Sequence, residues 1–302
     1  MHDAILHRGF SPLRVAWNNS ITCPPAGTIV IFPGRGEFIE VYSDMIGSLA
    51  ATGFAAAVLD WHGHGRSRPS HDRSRRCHVD DYETYLHDVT DFLSLLTQRL
   101  PPPYFALCQS MGALIWLHHA RRSRPLFAAA VLLAPMVDLP LQAAPRRFVR
   151  LGAKGMSRLG AGRWYLPGQS DPRLLPYDGN PYTSCAAGYA ALVALVARHA
   201  DLAIGGVTFG WLDATFAAIE SLNDAPDLER LAIPVLVLQA GSDTSVCNRA
   251  QERLAKRLPM VRLQRFASAR HALLWERPAV KDAVLADIAS FYHYHGRPAA
   301  AA

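Results

Sequence analysis

Short, almost wholly apolar runs recur along the chain and alternate with longer amphipathic stretches. Residues 28–32, 55–60, 104–109, 129–134 and 234–240 read as strands buried on both faces. Residues 13–17 and 261–266 alternate apolar with polar positions and are expected towards the edges of the same sheet. The spacing predicts helices over 37–52, 79–99, 111–121, 248–258 and 281–294. Strand followed by helix, repeated, predicts an α/β fold: a mostly parallel sheet flanked by helices. Such sheets collect their functional groups at the carboxyl ends of the strands.

Between Met136 and about Asp227 this rhythm stops. Strand-like runs vanish, and Pro, Gly and Arg punctuate helical pieces such as 189–199 and 211–222. The expected organisation is an α/β core of residues 1–135 and 228–302 with a helical lid, 136–227, inserted after one core strand. The alanines from Ala299 to Ala302 are expected to be a frayed tail.

Composition narrows the class. Half of the 302 residues are hydrophobic and 19% are charged, enough to bury a sizeable core and to exclude a disordered chain. Cys23, Cys77, Cys108, Cys185 and Cys247 are an odd, unpatterned set, read as free thiols and not as a disulfide frame or zinc site. The first 20 residues hold His2, Asp3, His7 and Arg8 without a sustained apolar run, so no secretory signal is expected. No run reaches the roughly 18 to 20 apolar residues that span a bilayer, and a cytoplasmic protein is expected.

The segment from Tyr104 to Leu117 carries the chemistry: a strand runs into Ser110, and a helix starts directly after it. A tight strand-to-helix turn exposes a serine hydroxyl above the sheet, the arrangement of the G-x-S-x-G nucleophile elbow. Cys108-Gln109-Ser110-Met111-Gly112 keeps the second glycine, and Cys108 stands where the first would be. A serine at such a junction also serves as a plain helix N-cap. A nucleophilic serine needs a base to take its proton and an anion to orient that base. Asp243 follows the strand 234–240, and His271 follows the strand 261–266, giving the order Ser, acid, His. Asp138, just after another strand, is a rival acid. For a tetrahedral oxyanion, one amide is that of Met111. The second is expected from Pro33-Gly34-Arg35-Gly36-Glu37, through the backbone of Arg35, although a simple tight turn is the other reading of that stretch.

Five segments occur in order: Phe32-Pro33-Gly34-Arg35-Gly36-Glu37-Phe38-Ile39-Glu40-Val41-Tyr42, Asp60-Trp61-His62-Gly63-His64-Gly65-Arg66-Ser67, Gln109-Ser110-Met111-Gly112, Gly241-Ser242-Asp243 and Arg270-His271. Together they resemble the lysophospholipase and monoacylglycerol lipase branch of the α/β-hydrolases, bacterial lysophospholipase L2-like proteins above all. Asn180-Pro181-Tyr182-Thr183-Ser184 and Thr208-Phe209-Gly210-Trp211-Leu212 resemble the same branch. The resemblance implies an α/β-hydrolase fold and ester hydrolysis through an acyl-enzyme without metal or organic cofactor. It implies that Ser110, Asp243 and His271 are the triad, with Arg35 and Met111 at the oxyanion positions. A lysophospholipid is then the first expected substrate. Monoacylglycerol or another carboxylic ester, an aminopeptidase substrate, and a non-catalytic lipid-binding role are the alternatives.

Other features change this picture less. His62 and His64 lack an evident third ligand, so no metal site is expected, and His118–His119 read as helix packing. The net charge of +6 is compatible with nucleic acid, an anionic membrane or an acidic substrate. No nucleic-acid reader motif accompanies it, and none is expected as a partner. Part of the charge is local. Arg147, Arg150, Lys154 and Arg158 fall near one helical face while Phe148, Leu151 and Leu159 fall on the other, although Gly152 and Gly155 lower the helical propensity. A basic amphipathic segment of this kind suits peripheral contact with an anionic membrane, the inner face being expected. A solvated lid face is the plainer alternative.

Overall fold

A computed structural model describes residues 1–7, 12–19, 24–69, 74–123, 126–141, 143–173 and 176–296. The alanine-rich end lies outside them. The strands are β1 (His2–Leu6), β2 (Leu13–Asn18), β3 (Thr28–Phe32), β4 (Ala55–Leu59), β5 (Tyr104–Gln109), β6 (Phe127–Leu133), β7 (Val235–Ala240) and β8 (Val261–Phe266). The helices are α1 (Ser43–Ala51), α2 (Glu83–Leu96), α3 (Met111–Arg122), α4 (Ala143–Met156), α5 (Ala186–Arg198), α6 (Phe209–Asn223), α7 (Asn248–Arg257) and α8 (Pro278–His295).

The eight strands form one sheet in the order β1-β2-β4-β3-β5-β6-β7-β8. From β4 to β8 every pairing is parallel, and β1 and β2 are antiparallel additions. The central strands are apolar along their whole length because helices cover both faces. Val30, Phe32, Ala106, Leu132 and Val237 point into one layer with Tyr85, Val89 and Phe92 of α2 and Leu114 of α3. Ile29, Ile31, Leu107, Val131 and Leu238 point into the other, with Ile46 and Leu49 of α1 and Val284 and Ile288 of α8.

Two elements differ from expectation. Residues 13–17 are not an edge: β1 pairs with β2 from His2↔Trp17 to Leu6↔Leu13 and takes the outer position. The long helix expected over 37–52 begins later, at Ser43, after the short turn Ile39–Tyr42. Asp60 explains that turn, because its carboxylate accepts from the Ile39 N–H at 2.8 Å.

The chain leaves β3 for β4 on one side and returns to β5 on the other. The loops after β3 and β5 therefore diverge at a topological switch point, the crevice where open α/β sheets place ligands. Between β6 and β7 no described residue joins the sheet. That segment carries α4, α5 and α6, and α6 sends Trp211, Phe216 and Ile219 into the same apolar layer as α2 and α3.

Candidate active site

Ser110 stands between the last residue of β5 and the first of α3 with φ 49° and ψ −111°. A left-handed backbone at a non-glycine residue is strained and must be held by its surroundings. Its N–H donates to Leu133 O at 2.9 Å, and its carbonyl accepts from Ala113 at 3.1 Å and Met136 at 3.0 Å. Cys108 is fully buried between Phe32 and Leu132 in register, so the missing glycine is accommodated by turning a small thiol into the core. The close approach falls on Gly112 instead, whose α-carbon packs against the carbonyls of Phe32 and Pro33.

His271 Nδ1 lies 2.7 Å from Asp243 Oδ2, and His271 Nε2 lies 3.0 Å from Ser110 Oγ. A carboxylate only accepts, so Nδ1 carries the proton and Nε2 is left to accept from the serine hydroxyl. The Asp243 side chain is wholly buried. Its Oδ1 accepts from the Ser245 and Val246 amides at 2.7 and 3.2 Å, which fixes the carboxylate towards the imidazole. Asp138, the rival acid, is engaged elsewhere: its carboxylate takes Arg146 and the Leu139 amide.

The loop after β3 lies against this elbow. Trp61 Nε1 donates to Pro33 O at 2.9 Å, and the Glu37 carboxylate accepts from the Gly34 amide and the Tyr42 hydroxyl. Burial pushes the Glu37 carboxyl up from its usual range, against the pull of those two donors. Among the described residues neither the Arg35 nor the Met111 amide has a backbone or side-chain acceptor, and both belong to segments that meet at Gly112. Two free amides beside a nucleophile are what a developing oxyanion requires.

The histidine loop is braced from the segment between β6 and β7. Arg270 donates to Asn180 O at 2.9 Å, and Glu276 accepts from the Arg270 amide, the Ser184 amide and the Ser184 hydroxyl at 2.7–2.8 Å. Sequence reasoning found neither Glu37 nor Glu276 as a brace. Both are acids within six residues of a site residue, but only the closed chain shows what they hold.

The remaining predicted residues lie apart from the triad. His64 Nδ1 donates to the His62 carbonyl at 3.0 Å. His118 is buried, with Nε2 2.9 Å from Ala218 O, so it ties α3 to α6 as packing. On α4 the faces differ from the simple division expected. Arg150 turns inward to Glu220, and Arg146 lies 5.0 Å over the Phe216 ring. Phe148 (75% exposed) and Leu151 (56%) face solvent, as does Leu159 (83%) just beyond α4, with Arg147 and Arg158 exposed beside them and Lys154 half-buried.

Comparison with known proteins agrees with this architecture. The family model described as "Serine aminopeptidase, S33", a hydrolase family, matches residues 23–278. The chain belongs to that family. It is 26% identical over 268 residues to the probable lysophospholipase L2 of Haemophilus influenzae, covering 87% of this chain and 82% of that protein. It is 27% identical over 293 residues to the lysophospholipase L2 of Escherichia coli, covering 89% and 81%. A solved structure of a soluble variant of monoglyceride lipase from Saccharomyces cerevisiae superposes with a TM-score of 0.79 at 18% identity, over 98% of this chain and 96% of that one. The fold is that of the α/β-hydrolases.

Proposed function

We propose that the protein is a serine hydrolase that cleaves the carboxylic ester of a single-acyl-chain lipid, a lysophospholipid before others, through an acyl-enzyme on Ser110. The hydrogen-bonded chain from Ser110 Oγ through His271 to Asp243 carries this reading. Ser110 Oγ attacks the ester carbonyl as His271 Nε2 takes its proton, and Asp243 stabilises the imidazolium. The Met111 and Arg35 amides receive the oxyanion. The imidazolium then protonates the departing alcohol, and water, activated by the same histidine, releases the fatty acid.

The choice of lipid rests on the lysophospholipase names of the two relatives and on the helical segment 136–227, read as a lid sheltering one acyl chain. The family description favours a second reading, an aminopeptidase. Assays on lysophosphatidylcholine, a monoacylglycerol of equal chain length and an aminoacyl-anilide separate the readings. Preferred turnover of the lysophospholipid is expected, and selective turnover of the anilide would reject the lipid reading.

The lid also supports peripheral membrane contact. No helix among the described residues is long and apolar enough to cross a bilayer. Phe148, Leu151, Leu159 and Trp164 are exposed large apolar side chains, with Arg147, Lys154 and Arg158 near them. Apolar insertion flanked by cations suits an anionic surface. Reversing Arg147, Lys154 and Arg158 to glutamate removes about 1 kcal/mol of attraction per charge. Cosedimentation with phosphatidylglycerol vesicles should then weaken by about a hundredfold or more. Undiminished cosedimentation rejects the contact. Arg150 is left out of the variant because Glu220 already holds it.

A further inference from the structure

The residue that offers its amide to the oxyanion also carries a guanidinium in no salt bridge among the described residues, with Glu37 acting on it only through space. Among the described residues the groups acting on the half-buried Arg35 guanidinium are the Cys77 thiol, which shares a hydrogen bond with it, and the phenols of Tyr182 and Tyr82, none of them a carboxylate. The guanidinium lies over the Trp211 ring, 5.9 Å from the centroid, and beside the Cys77 thiol and the phenols of Tyr82 and Tyr182. These neighbours are neutral. Burial pushes the Cys77 thiol up to about 11 and raises Tyr82 as well. Glu37, two residues on, directs its carboxylate at the Gly34 amide and the Tyr42 hydroxyl.

Unsatisfied polar atoms gather around the same place. Among the described residues the Trp211 Nε1 and Tyr85 Oη donors, and the His64 Nε2 acceptor, are buried without a hydrogen-bond partner. The Tyr85 ring lies 5.3 Å from that of Tyr82 and 6.3 Å from that of His64. Burial lowers the His64 imidazole to about 4, so it adds no charge at neutral pH. A desolvated guanidinium and orphaned donors each cost stability unless something supplies the missing acceptors. An anionic ligand supplies acceptors of the kind that the guanidinium, the Trp211 N–H and the Tyr85 hydroxyl lack.

The fold assembles this cluster from both sides of the site. The Cys77 N–H donates to Gly206 O at 3.0 Å and the Thr208 N–H to Cys77 O at 3.1 Å, which leads directly into α6 and Trp211. Tyr182 arrives from the catalytic side, where its carbonyl accepts from the Ala272 amide at 2.7 Å, next to His271.

We propose that the Arg35 side chain is a specificity-determining group that binds the phosphate of a single-chain lipid headgroup while its amide holds the ester oxyanion. This rests on the ester-hydrolase reading of the site and deepens it. As many covalent bonds separate the ester carbonyl carbon from phosphorus in a 1-acyl glycerophospholipid as separate the Arg35 amide nitrogen from its guanidinium carbon. Anchoring at one end therefore brings the other within reach. The planar guanidinium suits two phosphate oxygens at once. A neutral glycerol makes no use of a fixed charge, and a free amine is repelled by it.

The test compares wild type with Arg35→Gln and Arg35→Lys, both of which keep the amide. The readout is the ratio of kcat/KM on a 1-acyl lysophosphatidylglycerol to kcat/KM on the monoacylglycerol of the same chain. Any loss common to both substrates reports on the loop, and the ratio reports on the guanidinium. Arg35→Gln is expected to lower the ratio about ten- to hundredfold and Arg35→Lys by less, because a point charge remains. A ratio unchanged in Arg35→Gln overturns the proposal.

A second arm does not depend on phospholipid turnover: inhibition of p-nitrophenyl butyrate hydrolysis by dodecyl phosphate. Inhibition about tenfold weaker in Arg35→Gln supports the site. Equal inhibition of both proteins, or inhibition of wild type as strong by inorganic phosphate, overturns the lipid assignment. Should wild type cleave only monoacylglycerol, the lysophospholipase reading fails while this arm still decides the phosphate site.

Discussion

Ser110→Ala is expected to lower kcat on every ester by about a millionfold, leaving the protein folded. The hydroxyl is the only group removed. The strained turn is held by backbone hydrogen bonds to Leu133, Ala113 and Met136, none of which uses Oγ. Asp243→Asn tests the other end of the same chain. The amide can present an N–H to His271 Nδ1, which favours the tautomer whose Nε2 carries the proton and no longer accepts from Ser110. A loss of about ten-thousandfold is expected, smaller than for Ser110 because the nucleophile and oxyanion amides remain. A fluorophosphonate probe makes the comparison direct. It should label wild type rapidly, Asp243→Asn slowly and Ser110→Ala not at all. A labelled Ser110→Ala protein sinks the nucleophile assignment. Absence of labelling in intact wild type favours the non-catalytic lipid-binding alternative.

Much of this site was legible because it depends on local order along the chain. An apolar strand, a serine and an immediate helix are adjacent in sequence, and a carboxylate and a histidine follow later strands at their carboxyl ends. The parallel sheet then brings those ends together whatever the details of packing. Cys108 weakened the local motif, and the structure accommodates it because the tight approach is made by Gly112.

What stayed hidden depends on partners distant in sequence. β1 shows no apolar pattern, since only Ala4 and Leu6 pack even partly against the core and the strand is defined by its ladder to β2. Arg14 gathers Asp3, Glu40 and Asp60, three acids from three separate segments, and no spacing rule announces that they converge. The faces of α4 differ from their helical spacing for the same reason. Arg150 belongs to the protein side only because Glu220 of α6 is there to receive it. A Gly-rich loop singles out Arg35 for its amide, whereas the setting of its side chain appears only where Trp211 and Cys77 meet it.

Gly112→Ala should be the most damaging single-methyl change in the site. A Cβ there would sit 2.6 Å from both the Phe32 carbonyl carbon and the Pro33 oxygen, and these are backbone atoms that no rotamer change can move. Relief requires α3 to retreat from the end of β3. The Met111 amide moves with α3, whereas the Arg35 amide stays with a loop tied down by Trp61 and Glu37. Misplacing one oxyanion donor costs roughly a hundred- to thousandfold in kcat, and overpacking costs about 1–3 kcal/mol of stability. Both losses should appear together: a lower kcat at unchanged substrate preference, and a melting temperature reduced by several degrees. Gly47→Ala on the exposed face of α1 is the control, because its Cβ would meet nothing within 4 Å. That change should stabilise the protein by up to about 1 kcal/mol through helix propensity alone. Gly112→Ala with wild-type kcat and melting temperature would mean that α3 and β3 are not in this close contact, and the oxyanion geometry would have to be abandoned with it.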